Sequence, residues 1–331
     1  MSPRPGFELP EPVPPAVGDG PGTAGRLFGV LVTYRRPAEL AETLRRIAMQ
    51  DRDLEALVVV DNAPLPQVKA VVKGFAAGGR NVHYLPSDEN LGPAGGIAVG
   101  MMRVLETARD DDWIVLLDDD DPPLSSTWFR ELFDFARATV ADDPSTAAVG
   151  FGGARFDWSR ARLFRPPFER YVSPMAVDYF ASGHLPMYRV GAIRDVGTFE
   201  GLLFFGLDDL EFGLRLRRAG YALYGLRPPR DVIRAERPKL KAKKRRIGRR
   251  FRLADPEWRG YYSLRNLIYI VRSSGRPALA IRITLVRGLL KPIANGFLTP
   301  RQAWRQLRLN QHACRDAWRR RMGRTLEPGQ V

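Results

Sequence analysis

Trp113-Ile114-Val115-Leu116-Leu117-Asp118-Asp119-Asp120-Asp121 decides the fold. Five consecutive apolar residues read as a strand covered on both faces. Four carboxylates follow at once, at that strand's carboxyl end. Open α/β sheets bind ligands in the crevice outside the carboxyl ends of their strands. Crowded carboxylates repel one another, and a hard divalent cation relieves that repulsion. Mg²⁺ or Mn²⁺ suits such oxygen ligands and shares its other positions with water and phosphate. The competing reading is a solvated acidic turn whose Asp caps the next helix.

The same pattern recurs on the amino-terminal side. Apolar runs at 27–32 and 57–60, the second ending in Asp61-Asn62, and a third at 82–85 read as strands. Between them, Leu40, Leu44 and Ile47 keep helical spacing over 38–49, and 93–108 reads as a helix with Pro93 in its first turn, where proline is tolerated. Strands alternating with helices predict an α/β fold with a mostly parallel central sheet. On the carboxyl-terminal side the pattern predicts a helix at 125–140, a strand at 147–152, loops with an edge hairpin over 155–177, and helices at 190–196 and 208–219, the last closed by Gly220. Helices are also expected at 261–272 and 301–321.

Charge divides the chain in two. The net charge is +15, yet residues 1–235 hold 27 basic and 32 acidic groups, and 236–331 hold 25 basic and 5 acidic. The basic excess therefore belongs to the last third, and such asymmetry marks contact with an anionic surface. Within it, 237–252 is a dense Lys/Arg run. Arg301, Arg305, Arg308, His312, Arg315 and Arg319 form a stripe at steps of three or four, with Trp304, Leu307, Cys314 and Trp318 beside it. A basic helix with interfacial aromatics suits an anionic membrane. Residues 1–25 are rich in Pro and Gly and read as a disordered tail. Three units are expected: the tail at 1–25, an α/β domain at 26–235, and a basic linker with a helical region at 236–331. A lone cysteine, Cys314, excludes a disulfide framework, and three histidines exclude a His-rich metal centre. No apolar stretch approaches a membrane span of about 20 residues. No secretory h-region opens the chain, so a cytoplasmic location is expected.

Other stretches could carry chemistry. Asp208-Asp209-Leu210-Glu211 opens a predicted helix, where acids either cap the dipole or serve as a general base. Asn90-Leu91-Gly92-Pro93-Ala94-Gly95-Gly96 could let backbone approach a phosphate, or could only permit close packing. Asp61 could accept from a base or ribose, or end a turn. Ser182-Gly183-His184 is either an active-site loop or a turn with a structural His184.

Together these stretches resemble the family 2 glycosyltransferases. The matching order is Val30-Leu31-Val32-Thr33-Tyr34-Arg35, Val58-Val59-Val60-Asp61-Asn62-Ala63, Asn90-Leu91-Gly92 with Gly95-Gly96, Leu116-Leu117-Asp118-Asp119-Asp120, Ala181-Ser182-Gly183-His184, and Phe204-Phe205-Gly206-Leu207-Asp208-Asp209-Leu210-Glu211-Phe212-Gly213-Leu214-Arg215. The likeness covers about 26–235 and, more weakly, 261–270 around Leu264-Arg265-Asn266. The segment from Asp208 is most similar to galactofuranosyltransferases of actinobacterial envelope synthesis, and also to rhamnosyltransferases. The resemblance implies the GT-A fold and an inverting, metal-dependent transfer from a UDP- or dTDP-sugar to a glycan or lipid-linked hydroxyl. It implies that Thr33, Arg35, Asp61, Asn90, Gly95, Asp118 and Asp119 hold the nucleotide sugar. Asp120 with Asp118 would bind Mn²⁺ or Mg²⁺, Asp209 would be the base, and Asp208 would hold hydroxyls. Ser182, Gly183 and His184 would lie on the acceptor side. A peripheral position at the inner face of the cell membrane follows, with no nucleic acid expected. One departure is that relatives often carry a metal-binding His where this chain has Arg230-Asp231-Val232-Ile233-Arg234-Ala235. Two other classes are weaker. Nucleic-acid binding would use the basic run but has no recognised motif. A nucleotidyltransferase needs a glycine-rich loop after strand one, and Val32-Thr33-Tyr34-Arg35-Arg36 has no glycine.

Overall fold

The computed structural model describes residues 25–167, 171–228, 257–296 and 300–326. The expected tail (apart from Gly25), the Arg230-to-Ala235 stretch and the 237–252 basic run lie outside the described residues.

β1 (Leu27–Thr33), β2 (Ala56–Asp61), β3 (Val82–Pro86) and β4 (Trp113–Asp118) pair in parallel in the order β3-β2-β1-β4. Their continuous apolar sequences follow from burial on both faces. On one face Val30, Val58, Val60, Ile114 and Leu116 meet Met101 and Val104 of α3 (Gly92–Leu105) and Phe212 and Leu216 of α6 (Asp208–Arg218). On the other face Leu31, Leu57, Val59, Val115 and Leu117 meet Leu40 and Leu44 of α1 (Pro37–Ile47), Val68 and Val72 of α2 (Pro66–Ala77), and Phe129 and Phe133 of α4 (Trp128–Asp142). Alternate residues of one strand thus feed two cores, the period-two rule of a pleated sheet.

The sheet then continues through three short strands that the sequence pattern does not predict. β9 (Met187–Arg189) runs antiparallel between β4 and β5 (Thr146–Phe151), and β10 (Ala222–Leu226) pairs in parallel with β5. β8 (Met175–Ala176) closes the edge antiparallel to β10, giving the eight-stranded order β3-β2-β1-β4-β9-β5-β10-β8. The expected edge hairpin is β6 (Arg155–Asp157) with β7 (Arg162–Phe164). Helix α5 (Val190–Val196) falls where the spacing predicts it. The reversal of connection around β1 and β4 leaves a crevice at their carboxyl ends, beside Thr33 and Asp118.

The carboxyl-terminal segment is α7 (Glu257–Ser273), α8 (Pro277–Ile283), a π-helical stretch at Thr284–Leu290, α9 (Lys291–Gly296) and α10 (Pro300–Trp318). It shares a third core with the α/β part: Tyr261, Tyr262, Ile268 and Ala313 pack with Tyr179, Phe204, Leu210 and Leu214. Of the stripe beside the basic one, Cys314 joins this core while Trp304 is exposed. Among the described residues, no helix is long and apolar enough to cross a membrane.

Candidate active site

The crevice collects the acids. Asp118, half-buried, is the last residue of β4. Asp119 is buried and turns back toward β1. Its carboxylate accepts from Thr33 Oγ1 at 2.9 Å, the Tyr34 backbone N–H at 3.4 Å and Arg36 Nη1 at 3.2 Å. Its carbonyl accepts from Thr43 Oγ1 at 2.9 Å. Burial raises its pKa, against the opposing pull of Thr33 and Arg36. Asp119 therefore ties β4 to β1 and α1, and the neighbouring carboxylates project from a fixed turn. Asp120 is exposed and pairs with Arg36. A side chain at Gly183 would collide with the Asp121 carboxylate, so the Ser182–His184 turn lies against the acidic quartet. His184 itself is buried, with Nδ1 at the Phe151 carbonyl, a structural role for the ring.

The nucleotide-side candidates flank the same edge. Asp61, fully buried at the end of β2, accepts from the Tyr84 hydroxyl at 2.8 Å and the Ala63 N–H at 3.1 Å. The Tyr84 hydroxyl pKa is raised by burial and by that bond. Arg35 is exposed, stacked 5.2 Å from the Tyr34 ring centroid. Asn90 accepts from the Gly92 N–H at 2.9 Å and so shapes the start of α3. Gly95 faces the Gly201–Leu203 turn, and a side chain begun at Gly201 would lie 3.3 Å from the Gly95 Cα.

Asp208 and Asp209 begin α6, where the helix dipole favours acids. Asp208 is buried and Asp209 half-buried. Burial raises the pKa of both; the charge of Asp208 raises Asp209 further, and that of Asp118 adds to it. Arg165 opposes the rise at Asp209. The two acidic motifs, some 90 residues apart in sequence, thus act on each other across one crevice.

The loop before α6 is held under backbone strain. Phe204 (φ 61°), Gly206 (φ 79°) and Leu207 (φ 64°) all have left-handed backbone, and two of them carry side chains. Such residues cost on the order of 1–3 kcal/mol each and persist where the surroundings over-determine them. The surroundings here come from α7. Fully buried Asn266 donates through Nδ2 to the carbonyls of Leu203 (3.0 Å), Phe205 (3.0 Å) and Gly206 (2.8 Å). Arg265, also fully buried, donates to Asn266 Oδ1 at 3.0 Å and to the Leu203 carbonyl at 2.9 Å. From the other side α3 closes on the loop, because any side chain at Gly92 would strike the Phe204 carbonyl. Within α6, Arg215 grips Glu211 at 2.8 Å and the carbonyls of Val196 (2.6 Å) and Thr198 (2.8 Å).

The raised pair has a thermodynamic signature. Below the ordinary carboxylate value of about 3.9 both states are protonated. Between that value and the raised folded-state values, the native protein holds more protons than the unfolded chain. This contribution to stability is complete below the ordinary value and is lost as pH rises through the raised ones. Asp208→Asn should therefore gain stability over the wild type as pH rises from about 4 to about 8, in chemical denaturation run at each pH. A constant difference across that range would refute the linkage.

A divalent ion is compatible with the donors present. Among the described residues no group of three or more His, Cys, Asp or Glu converges as a complete cage. Asp118 and Asp120 are hard oxygen donors of the kind Mg²⁺ or Mn²⁺ takes, one or two at a time, alongside phosphate and water.

The profile of glycosyl transferase family 2 matches residues 30–197, from β1 through α5, more than half of the chain. The chain belongs to glycosyl transferase family 2. It is 34% identical over 212 residues to galactofuranosyltransferase GlfT1 of Mycolicibacterium smegmatis, covering 58% of this chain and 65% of that protein. It is 31% identical over 206 residues to GlfT1 of Mycobacterium tuberculosis, covering 59% and 65%. The chain thus spans a little under two thirds of the length of the relatives it matches. Two solved structures share the GT-A fold: GalNAc-T7 with UDP, GalNAc and Mn²⁺ (TM-score 0.53, 12% identity, 75% of this chain and 48% of that one), and residues 1–349 of S. aureus TarS with UDP-GlcNAc (TM-score 0.51, 14% identity, 88% and 81%).

Several residues around the candidate site leave no mark in the local sequence. Arg36 is one, because its partners, Asp119 and Asp120, lie more than 80 residues away. Tyr188, on unpredicted β9, is buried with no hydrogen-bond partner for its hydroxyl among the described residues, and the charges of Asp208 and Asp209 raise its pKa beyond the effect of burial. Leu264-Arg265-Asn266 stands out in the sequence, but the carbonyls it serves do not.

Proposed function

We propose that the protein is an inverting, metal-dependent glycosyltransferase. It moves a sugar, a galactofuranosyl group by likeness to the relatives, from a nucleotide diphosphate to a hydroxyl of a glycan or lipid-linked acceptor in cell-envelope polysaccharide synthesis. The observation that carries this reading is that the acid run after β4 and the head of α6 lie close enough for the charge of Asp118 to help raise the Asp209 pKa.

Thr33, Arg35, Asp61, Asn90, Gly95, Asp118 and Asp119 hold the donor, Asp120 with Asp118 hold Mn²⁺ or Mg²⁺, and the turn at Ser182, Gly183 and His184 borders the acceptor. When bound, the ion neutralises charge on the departing diphosphate. Asp208 orients hydroxyls. Asp209 takes the proton of the acceptor hydroxyl as its oxygen bonds to the anomeric carbon, while the bond from that carbon to the diphosphate oxygen breaks and the nucleoside diphosphate leaves with the electron pair. A base with a raised pKa suits this task near neutrality. Residues 26–235 form the catalytic domain and 236–331 the basic linker and helices. The latter rest on an anionic membrane at its inner face.

Calorimetry with a panel of UDP- and dTDP-sugars, each with and without Mn²⁺ or Mg²⁺, tests the reading. One donor should bind, and the ion should tighten it. Asp120→Ala should remove the ion's contribution and leave ion-free binding little changed. If no nucleotide sugar binds under any condition, the assignment fails.

A further inference from the structure

The helix formed by α8, the π-helical stretch and α9 buries one side and leaves the other uncovered. Ala280, Ile283 and Gly288 face the core, where a side chain at Gly288 would press on Cys314 Sγ at 2.7 Å. Ile281, Leu285, Val286, Leu290 and Ile293 each remain 47–60% exposed. Ile281, Leu285, Leu290 and Ile293 are spaced by four, five and three residues, with Val286 next to Leu285, along an α-helix that passes into a π-helix and back. The wider π turn keeps five large aliphatic side chains on one outward stripe, where an unbroken α-helix would spread them. Isolated exposed aliphatics are ordinary; a contiguous stripe of five is not.

The surroundings of the stripe are basic. Arg282 and Lys291 are exposed on the same helix, and Arg287 is half-buried. Arg162 of the β6–β7 hairpin faces Arg282 and Arg287 across a groove of about 350 Å³ lined also by Arg160 and Val286. Arg287 donates to the carbonyls of Ala161 (2.7 Å) and Arg160 (3.2 Å), and Arg282 to that of Ser159, so the hairpin is fastened to the helix by guanidinium groups. Carbonyls satisfy hydrogen bonds but do not cancel charge. Burial and the repulsion of Arg162 and Arg282 together lower the Arg287 pKa. Among the described residues no carboxylate pairs with Arg162, Arg282 or Arg287; Arg160 has Asp157 at 3.6 Å. Across 257–326 the sequence has fifteen Lys or Arg and two acids, Glu257 and Asp316, and Asp316 is buried under Tyr261.

We propose that the outward stripe of α8, the π turn and α9, with the arginine groove beside it, is the surface on which the protein docks to an anionic lipid bilayer. The aliphatic residues enter the headgroup boundary, and Arg162, Arg282, Arg287 and Lys291 meet the lipid phosphates. Charge argues against the other occupants of an apolar stripe. A second copy would set one strongly basic face against another, and like-charge juxtaposition works against such a contact. A nucleic acid would use the cations but not five aliphatic side chains, because single strands stack on aromatics. The inference rests on the membrane-surface part of the proposed function and locates it on α8–α9, away from the Arg and Trp stripe of α10.

Flotation with vesicles of phosphatidylglycerol and phosphatidylcholine, against vesicles of phosphatidylcholine alone, tests it on the full chain at moderate salt. Sedimentation velocity of the same samples reports self-association. The wild type should float with the anionic vesicles and remain below with the neutral ones. Leu285→Glu with Leu290→Glu changes only exposed positions and should lower partitioning by about tenfold or more, while melting and nucleotide-sugar binding stay as in the wild type. Trp304→Ser with Arg308→Gln on α10 should retain most of the partitioning. Equal flotation by the α8–α9 variant and the wild type overturns the inference and leaves the membrane reading standing. Loss confined to the α10 variant does the same. A wild-type dimer that the α8–α9 variant dissociates, with flotation unchanged, assigns the stripe to self-association and also overturns it. A wild type that ignores anionic vesicles removes the membrane reading itself, and donor binding in the same preparation shows whether the transferase assignment survives.

Discussion

Asp209→Asn should transfer sugar roughly 10²–10⁴-fold more slowly than the wild type, the usual contribution of a positioned general base, and should bind the donor about as well. The substitution keeps size and hydrogen-bonding shape but cannot take a proton. The Leu210 N–H that now meets Asp209 Oδ1 at 2.7 Å would still find an oxygen, so the head of α6 should hold. The rate of the wild type should rise with pH through a limb displaced above the ordinary carboxylate range, because burial and the charge of Asp208 hold the proton on Asp209. In Asp209→Asn that limb should vanish together with the rate. Single-turnover transfer at several pH values, with donor affinity measured separately, distinguishes a lost base from a lost site. Wild-type turnover in the variant would end the assignment.

Asn266→Ala should damage the site without touching substrate. One buried amide serves three carbonyls of the strained loop that launches α6. Each buried polar group left unsatisfied costs about 1–3 kcal/mol, so we expect stability to fall by at least about 2 kcal/mol in chemical denaturation. The left-handed backbone at Phe204 and Leu207 would then lose what over-determines it, and Asp208 and Asp209 would lose their placement. The maximal rate should fall more than the KM for the donor rises, since the nucleotide-side residues lie on or next to β1, β2, α3 and β4 rather than on the loop that Asn266 holds. Asn266→Asp is the sharper control. It keeps the volume but sets a carboxylate against three carbonyls, and should be no better than alanine. If the Asp variant transfers normally, Asn266 has no positioning role.

These two side chains mark the boundary of what can be read from sequence. The central strands are legible because burial on both faces writes an unbroken apolar run, as in β1, β2 and β4. The acids are legible because a run of carboxylates directly after such a strand must stand at the sheet's carboxyl edge, where ligands bind. β9 and β10 are not, since strands of three to five residues show no period, and β9 reverses direction. Helix α4 begins at Trp128, later than expected, because Ser125 and Thr127 first close a hydroxyl-bonded turn. The work of Arg36 and Asn266 is written in contacts spanning 60 residues or more, and local pattern carries no trace of them.

The core that α7 and α10 share with α6 has a further meaning. If Asp209 is the base, its direction depends on α7, whose Asn266 holds the loop before α6, so the sheet alone would lose that direction. Changes that loosen the distant helices would thus be felt first as slower chemistry, before any weakening of donor capture. On the proposed reading, α7 and α10 would support the catalytic apparatus through the core they share with α6.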